Sequence, residues 1–156
     1  MHLPVLKNEV IRYLDPKANE NFIDATIGEG GHTLAILEKN KPQGKVLGIE
    51  WDFELYQKLK QKISELNLKK RIVLVHDSYA NLEKIVERKK FKDVSGILFD
   101  LGISTWHLKE SKRGFSFLRD EILDMRYDIK TPLNAQKILN FFPAKEIEKI
   151  LKEFGE

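Results

Sequence analysis

The residues of this chain whose types and spacing can do chemistry are concentrated in one run, Asp24-Ala25-Thr26-Ile27-Gly28-Glu29-Gly30-Gly31-His32, and in Glu50, about 20 residues beyond Gly28. The run leaves a predicted strand and enters a predicted helix, the setting in which a glycine motif can hold a ligand. Glycines at such a turn permit positive φ and let the backbone approach a bound group closely. A dinucleotide fingerprint needs G-x-G-x-x-G, and Thr33 stands at the third glycine position, which argues against a pyrophosphate. The loop better suits a ligand without phosphates, such as S-adenosylmethionine, held by the backbone around Gly28, Gly30 and Gly31. Glu50 ends the second predicted strand, where a doubly wound site sets a carboxylate against ribose hydroxyls. A carboxylate can accept from both vicinal hydroxyls at once. Taken singly, the loop could be a tight turn without a ligand and Glu50 a solvent-facing strand end. Taken together they favour a nucleoside ligand. Tyr79, just past the third strand, is placed either to stack on a base or to pack as an ordinary core-edge aromatic.

Short apolar runs, partly β-branched, must carry these groups. Residues 22–26, 45–50, 71–75 and 96–101 read as strands buried on both faces, the pattern of a parallel sheet covered by helices. Helical stripes lie between them. Thr33 to Asn40 follows the first strand. Leu55, Leu59, Ile63 and Leu66 form a stripe after the second, with Asp52 as its cap, and Leu82, Ile85 and Val86 follow the third. Strand and helix in alternation predict an α/β, doubly wound, Rossmann-like sheet. Residues 102–130 are rich in motifs but weak in periodicity and read as a long functional loop. Two short helices are expected after it, one capped by Thr131 with Pro132 in its first turn, one starting near Pro143. The expected division is a cofactor-binding α/β domain over 1–101 and a motif loop with the start of a helical lobe over 102–156.

Composition bounds the rest. Twenty-seven Lys and Arg against 24 Asp and Glu give a net charge of +3, which permits an RNA partner without requiring one. Apolar residues at 42% and charged residues at 33% describe a globular chain. No cysteine is present, so disulfides and thiolate chemistry are excluded, a composition that a reducing cytoplasm tolerates. No apolar run approaches the roughly 20 residues that cross a bilayer. The four histidines show no metal-ligand spacing, and no metal is expected.

Five ordered blocks then narrow the reading: His2-Leu3-Pro4-Val5-Leu6, the glycine loop, Asp100-Leu101-Gly102-Ile103-Ser104, Arg113-Gly114-Phe115-Ser116-Phe117 and Leu123-Asp124-Met125-Arg126. Over essentially its whole length the chain resembles the ribosomal RNA small subunit methyltransferase H family. The resemblance implies transfer of a methyl group from S-adenosylmethionine to N4 of a cytosine in 16S ribosomal RNA, in the cytoplasm, with the small ribosomal subunit as partner. It implies cofactor contacts at Gly30, Gly31, His32, Glu50, Tyr79, Asp100 and His107. Glu50 stands where that family usually has Asp, Tyr79 where it has Phe, and His107 where it has Gln. Trp106 and His107 depart from a usual Ser-Ser-Pro-Gln run. Members of that family are longer and insert a helical lobe after the fourth strand. Strand order beginning 3-2-1-4 would leave the fourth strand at an open edge, covered by a missing C-terminal half or by a second copy in a homodimer.

The cytosine amine is a weak nucleophile, and an acceptor beside it would hold it and take up developing positive charge. Asp100 is the candidate for that catalytic role; its alternative is a cap for the next turn. Arg113, Phe115 and Arg126 are the candidates for RNA contact, because arginines interleaved with aromatics grip phosphates and stack bases. The competing reading is that the phenylalanines pack the loop while the arginines pair with Asp120, Asp124 and Asp128. A competing reading of the whole chain is a truncated, non-catalytic paralogue that binds S-adenosylmethionine or RNA.

Overall fold

A computed structural model describes residues 4–155; His2 and Leu3 of the first sequence block lie outside them. The chain divides after Gly102 into two compact units.

In the first unit four parallel strands, β1 (Asn21–Asp24), β2 (Val46–Glu50), β3 (Ile72–His76) and β4 (Val94–Leu98), lie in the order β3-β2-β1-β4. Helices α1 (Lys7–Leu14), α2 (Gly31–Lys39), α3 (Phe53–Glu65) and α4 (Leu82–Lys89) complete it, with a 3₁₀ turn over Tyr79–Asn81. The strand period of two sorts the core into two layers. Phe22, Val46 and Ile72 pack with Ile36, Leu37, Leu59 and Ile63 from α2 and α3, and Ile11 and Leu14 of α1 add to that layer. Ile23, Leu47, Ile49 and Val75 turn to the other face and meet Ile85 and Phe91. Burying each such side chain contributes about 1.5–3 kcal/mol.

The register runs Phe22↔Val46 on one side of β1 and Ile23↔Ile97 on the other. Because the chain builds outward from β1 through β2 to β3 and then crosses to β4, the order reverses between β1 and β4. Open α/β sheets bind ligands at the carboxyl ends of the strands flanking that reversal.

Local chemistry fixes the elements around it. Asp52 caps α3 as expected, its Oδ1 accepting from Glu54 N–H at 2.9 Å and Leu55 N–H at 3.1 Å. Gly48 in β2 has a neighbour that sequence reading overlooks: a Cβ there would lie 2.2 Å from Ile27 Cδ1. The missing side chain is what lets Ile27, at the base of the glycine loop, sink into the sheet.

Several expectations need correction. The fourth strand ends at Leu98, so Asp100 lies in the loop beyond it. Helix α1 was not evident, because its stripe of Val10, Ile11 and Leu14 covers barely two turns. Residues 102–130 are not wholly loop, since α5 (Thr105–Lys109) forms there under a Ser104 cap. The next helix, α6 (Ala135–Phe141), starts later than expected. Its cap is Asn134, which accepts from Lys137 N–H at 2.9 Å, in place of Thr131. The last, α7 (Ala144–Phe154), does begin after Pro143.

In the second unit backbone hydrogen bonds between separate loop segments tie the chain outside its helices. The Arg113 carbonyl accepts from Met125 N–H at 2.8 Å, and the Asp124 carbonyl from Ala135 N–H at 2.9 Å. No helix among the described residues is long and apolar enough to cross a membrane.

Candidate functional site

The glycine loop hangs from Glu50. Gly28 N–H donates to Glu50 Oε2 at 3.0 Å, and Asp52 N–H donates to Oε1 at 2.8 Å. Glu50 is therefore not a solvent-facing strand end; it is 8% exposed. Burial pushes its carboxyl up to about 7, against the partial relief of the two backbone donors. Both carboxylate oxygens are thus engaged by backbone N–H groups, and a carboxylate has about four lone-pair sites in all.

Gly28 and Gly30 have φ of 52° and 82°, the left-handed region that favours glycine. Around Gly28 a side chain would meet nothing nearer than the Thr26 carbonyl at 3.8 Å, so the loop leaves open space there. Gly31 opens α2 and His32 follows, buried, in its first turn. On the far side of the loop Lys62 Nζ donates to the Glu29 carbonyl at 2.9 Å, steadying it from α3.

Asp100 stands across the sheet reversal from this loop. Its N–H donates to Thr26 Oγ1 at 2.7 Å, and its carboxylate, 49% exposed, comes within 3.6 Å of His32 Nε2. Beneath it lies Asp24, fully buried, whose Oδ2 accepts from Thr33 Oγ1 at 2.7 Å and whose Oδ1 accepts from Thr26 N–H at 3.3 Å. Burial pushes the Asp24 carboxyl up to about 6, helped by the nearby charge of Asp100. From the amino-acid order alone neither Asp24 nor Thr26 carries a role of its own. Two polar residues closing a strand otherwise buried on both faces were the available signal.

Tyr79 and Phe99 meet edge to face with centroids 5.8 Å apart, both about half exposed. They form an apolar wall beyond the ends of β3 and β4. Trp51, directly after Glu50, has its carbonyl held by a ring nitrogen of His76 at 2.9 Å. Gly28, Gly30, Gly31, His32, Glu50, Tyr79 and Asp100 thus share the carboxyl-terminal end of one sheet.

The remaining sequence candidates belong to the second unit and are woven into it. His107 is 2% exposed, with Nδ1 2.8 Å from Ser104 Oγ and its ring against Trp106, Phe115 and Tyr127. Arg113 is buried; its Nη1 donates to the carbonyls of Arg126 at 3.0 Å and Tyr127 at 3.2 Å, and its guanidinium lies 5.4 Å from the Trp106 ring. Arg126 grips Asp124 through Nε and Nη2 at 2.8 and 2.6 Å, and its Nη1 donates to the carbonyls of Ile129 and Thr131. That fork holds the Asp124 carboxyl below the usual carboxylate range. Arg113 and Arg126 brace the loop through these bonds, and Phe115 packs against the rings of His107 and Tyr127. Phe117, by contrast, is 97% exposed. Among the described residues no group of three or more His, Asp or Glu is arranged to hold a metal.

Fold and site together define a doubly wound α/β protein with a glycine loop and a buried strand-end carboxylate on one side of the sheet reversal and an aspartate on the other. The chain belongs to the MraW methylase family, whose family model matches residues 1–156. It is 45% identical over 157 residues to a ribosomal RNA small subunit methyltransferase H of Thermosipho melanesiensis, with 99% of this chain and 52% of that protein aligned. To the protein of the same name in Thermotoga neapolitana it is 41% identical, with 99% and 51% aligned. The chain thus spans about half the length of these curated relatives. Among solved structures, an rRNA methylase from Streptococcus thermophilus superposes with a TM-score of 0.51 at 22% identity, covering 65% of this chain and 57% of that one, a likeness of fold.

Proposed function

We propose that this chain binds S-adenosylmethionine at the carboxyl-terminal end of its sheet and serves methyl transfer to N4 of a cytosine in 16S ribosomal RNA. The observation that carries the reading is the Gly28–Glu50 hydrogen bond at 3.0 Å, which joins the two halves of a nucleoside grip. The donor set fits the ligand. The Glu50 carboxylate has acceptor capacity for a ribose hydroxyl, the positive-φ glycines open a backbone cradle, and the Tyr79–Phe99 wall offers apolar surface for a base. S-adenosylmethionine supplies an electrophilic methyl group on a sulfonium.

The protein's own task is positioning and charge placement. Asp100 lies against the bound cofactor and accepts a hydrogen bond from the cytosine amine, orienting its weak lone pair and stabilising the positive charge that grows on nitrogen. His32, 3.6 Å away, limits where that carboxylate can swing. The ring cluster of Trp106, His107, Phe115 and Tyr127, braced by Arg113 and Arg126, gives the second unit a fixed shape to present to RNA. His107 takes part through that packing. The partner is the small ribosomal subunit, which places the protein in the cytoplasm with it.

A second reading, a binding-only form, is favoured by the edge of β4 and the loop beyond it, where Ile97, Phe99 and Leu101 are exposed. In the working protein that edge is covered by a further segment or a second copy. A tritium-transfer assay from labelled S-adenosylmethionine to unmethylated 30S subunits separates the two. Label in N4-methylcytosine supports the enzyme; cofactor binding without transfer supports the binding-only form; no binding at all overturns both.

A further inference from the structure

We infer that Thr26, itself held by Asp24, is the positioning residue for Asp100, an inference that rests on the proposed role of Asp100 in the site. Beyond Leu98 the chain has left the sheet, and its last ladder-like bond to β1 is Ala25 N–H to the Leu98 carbonyl at 2.9 Å. Two residues later the backbone is caught again, by a side chain: Thr26 Oγ1 accepts from Asp100 N–H at 2.7 Å. That bond fixes the peptide that carries the Asp100 carboxylate.

Thr26 is fixed in turn. Its N–H donates to Asp24 Oδ1, and the other oxygen of Asp24 accepts from Thr33 Oγ1 in the first turn of α2. Thr33 follows His32, whose ring nitrogen approaches Asp100 Oδ2. The path therefore closes on itself: Asp100, Thr26, Asp24, Thr33, His32 and back to Asp100. It ties together the end of β1, the start of α2 and the loop after β4. These three segments meet at the sheet reversal and would otherwise be free to shift independently. A buried carboxylate is costly to keep in a core, and one with both oxygens engaged in this path is the connection that justifies it.

The test uses the full chain with Thr26→Val, which keeps shape but removes the acceptor, and Thr26→Ser, which keeps it. Calorimetry with S-adenosylmethionine should show about tenfold weaker binding for Thr26→Val and a change within twofold for Thr26→Ser. Combined with Asp100→Ala, Thr26→Val should weaken binding no further, because its effect passes through Asp100. Equal losses in both backgrounds, or an unchanged affinity in Thr26→Val, would overturn the assignment. A readout without ligand stands beside it: by NMR, exchange of the Asp100 amide should be at least tenfold faster in Thr26→Val than in wild type. An Asp100 amide unprotected in wild type removes the clamp. If wild type fails to bind S-adenosylmethionine, the proposed function falls, while amide exchange still decides whether Thr26 holds Asp100.

Discussion

Gly28 donates its N–H to Glu50 Oε2 at 3.0 Å, so the glycine loop and the carboxylate proposed to hold a ribose are one mechanical unit. Displacing either moves the other. Asp52 N–H on Oε1 completes the support and connects it to the start of α3.

Replacement of Glu50 by Gln tests that unit. The amide swaps one acceptor oxygen for a donor, which then faces the N–H of either Gly28 or Asp52. A ribose hydroxyl also loses a charged acceptor, and such bonds contribute about 1.5–3 kcal/mol each. S-adenosylmethionine should bind roughly 100-fold more weakly by calorimetry. An affinity within threefold of wild type would remove Glu50 from the site.

The raised carboxyl of Glu50 gives binding and folding opposite responses to pH. Two hydroxyl donors need the ionised form, so affinity should climb as pH rises from 6 to 8, by up to about tenfold per pH unit below 7. Folding runs the other way. Burial lifts Glu50 from 4.5 to about 7 and Asp24 from 3.8 to about 6. The folded state therefore binds these protons more tightly than the unfolded one. Their contribution to stability is fully present below the ordinary values and is lost as pH rises through about 6 and then 7. Urea midpoints of the ligand-free protein at pH 5, 6.5 and 8, with carboxyl ¹³C titration of both residues, measure this. Carboxyls that titrate near 4 would refute it.

Gly48→Ala should destabilise the protein by about 1–3 kcal/mol, because its methyl would stand 2.2 Å from Ile27 Cδ1. Ile27→Val removes that Cδ1. The double variant should recover most of the loss, and urea unfolding compares the three.

Arg113 and Phe117 should separate bracing from contact. Arg113→Ala leaves the carbonyls of Arg126 and Tyr127 without these donors, so amides of Asp124 and Met125 should exchange faster. Phe117→Ala, at a 97% exposed ring, should change stability by less than about 0.5 kcal/mol. It should still weaken binding of a single-stranded 16S fragment about tenfold if the ring stacks on a base. Unchanged RNA affinity would show that the ring makes no such contact.

The strand order was implied by the family resemblance, while the four strands, the Asp52 cap and the glycine turn were legible in the amino-acid order. Each is written in local period or in turn chemistry that acts over a few residues. Helix α1 escaped because two turns carry too little period, and the Asn134 cap because Thr131-Pro132 makes an equally good local start. What only the tertiary structure decided concerns groups distant along the chain. Glu50 is buried and shared with the loop, Thr26 reaches Asp100 across 74 positions, and Arg113 turns inward to carbonyls instead of outward to phosphate. The same side chain can satisfy its hydrogen bonds in water or in a neighbour's backbone, and which it does depends on how the sheet and loops close around it.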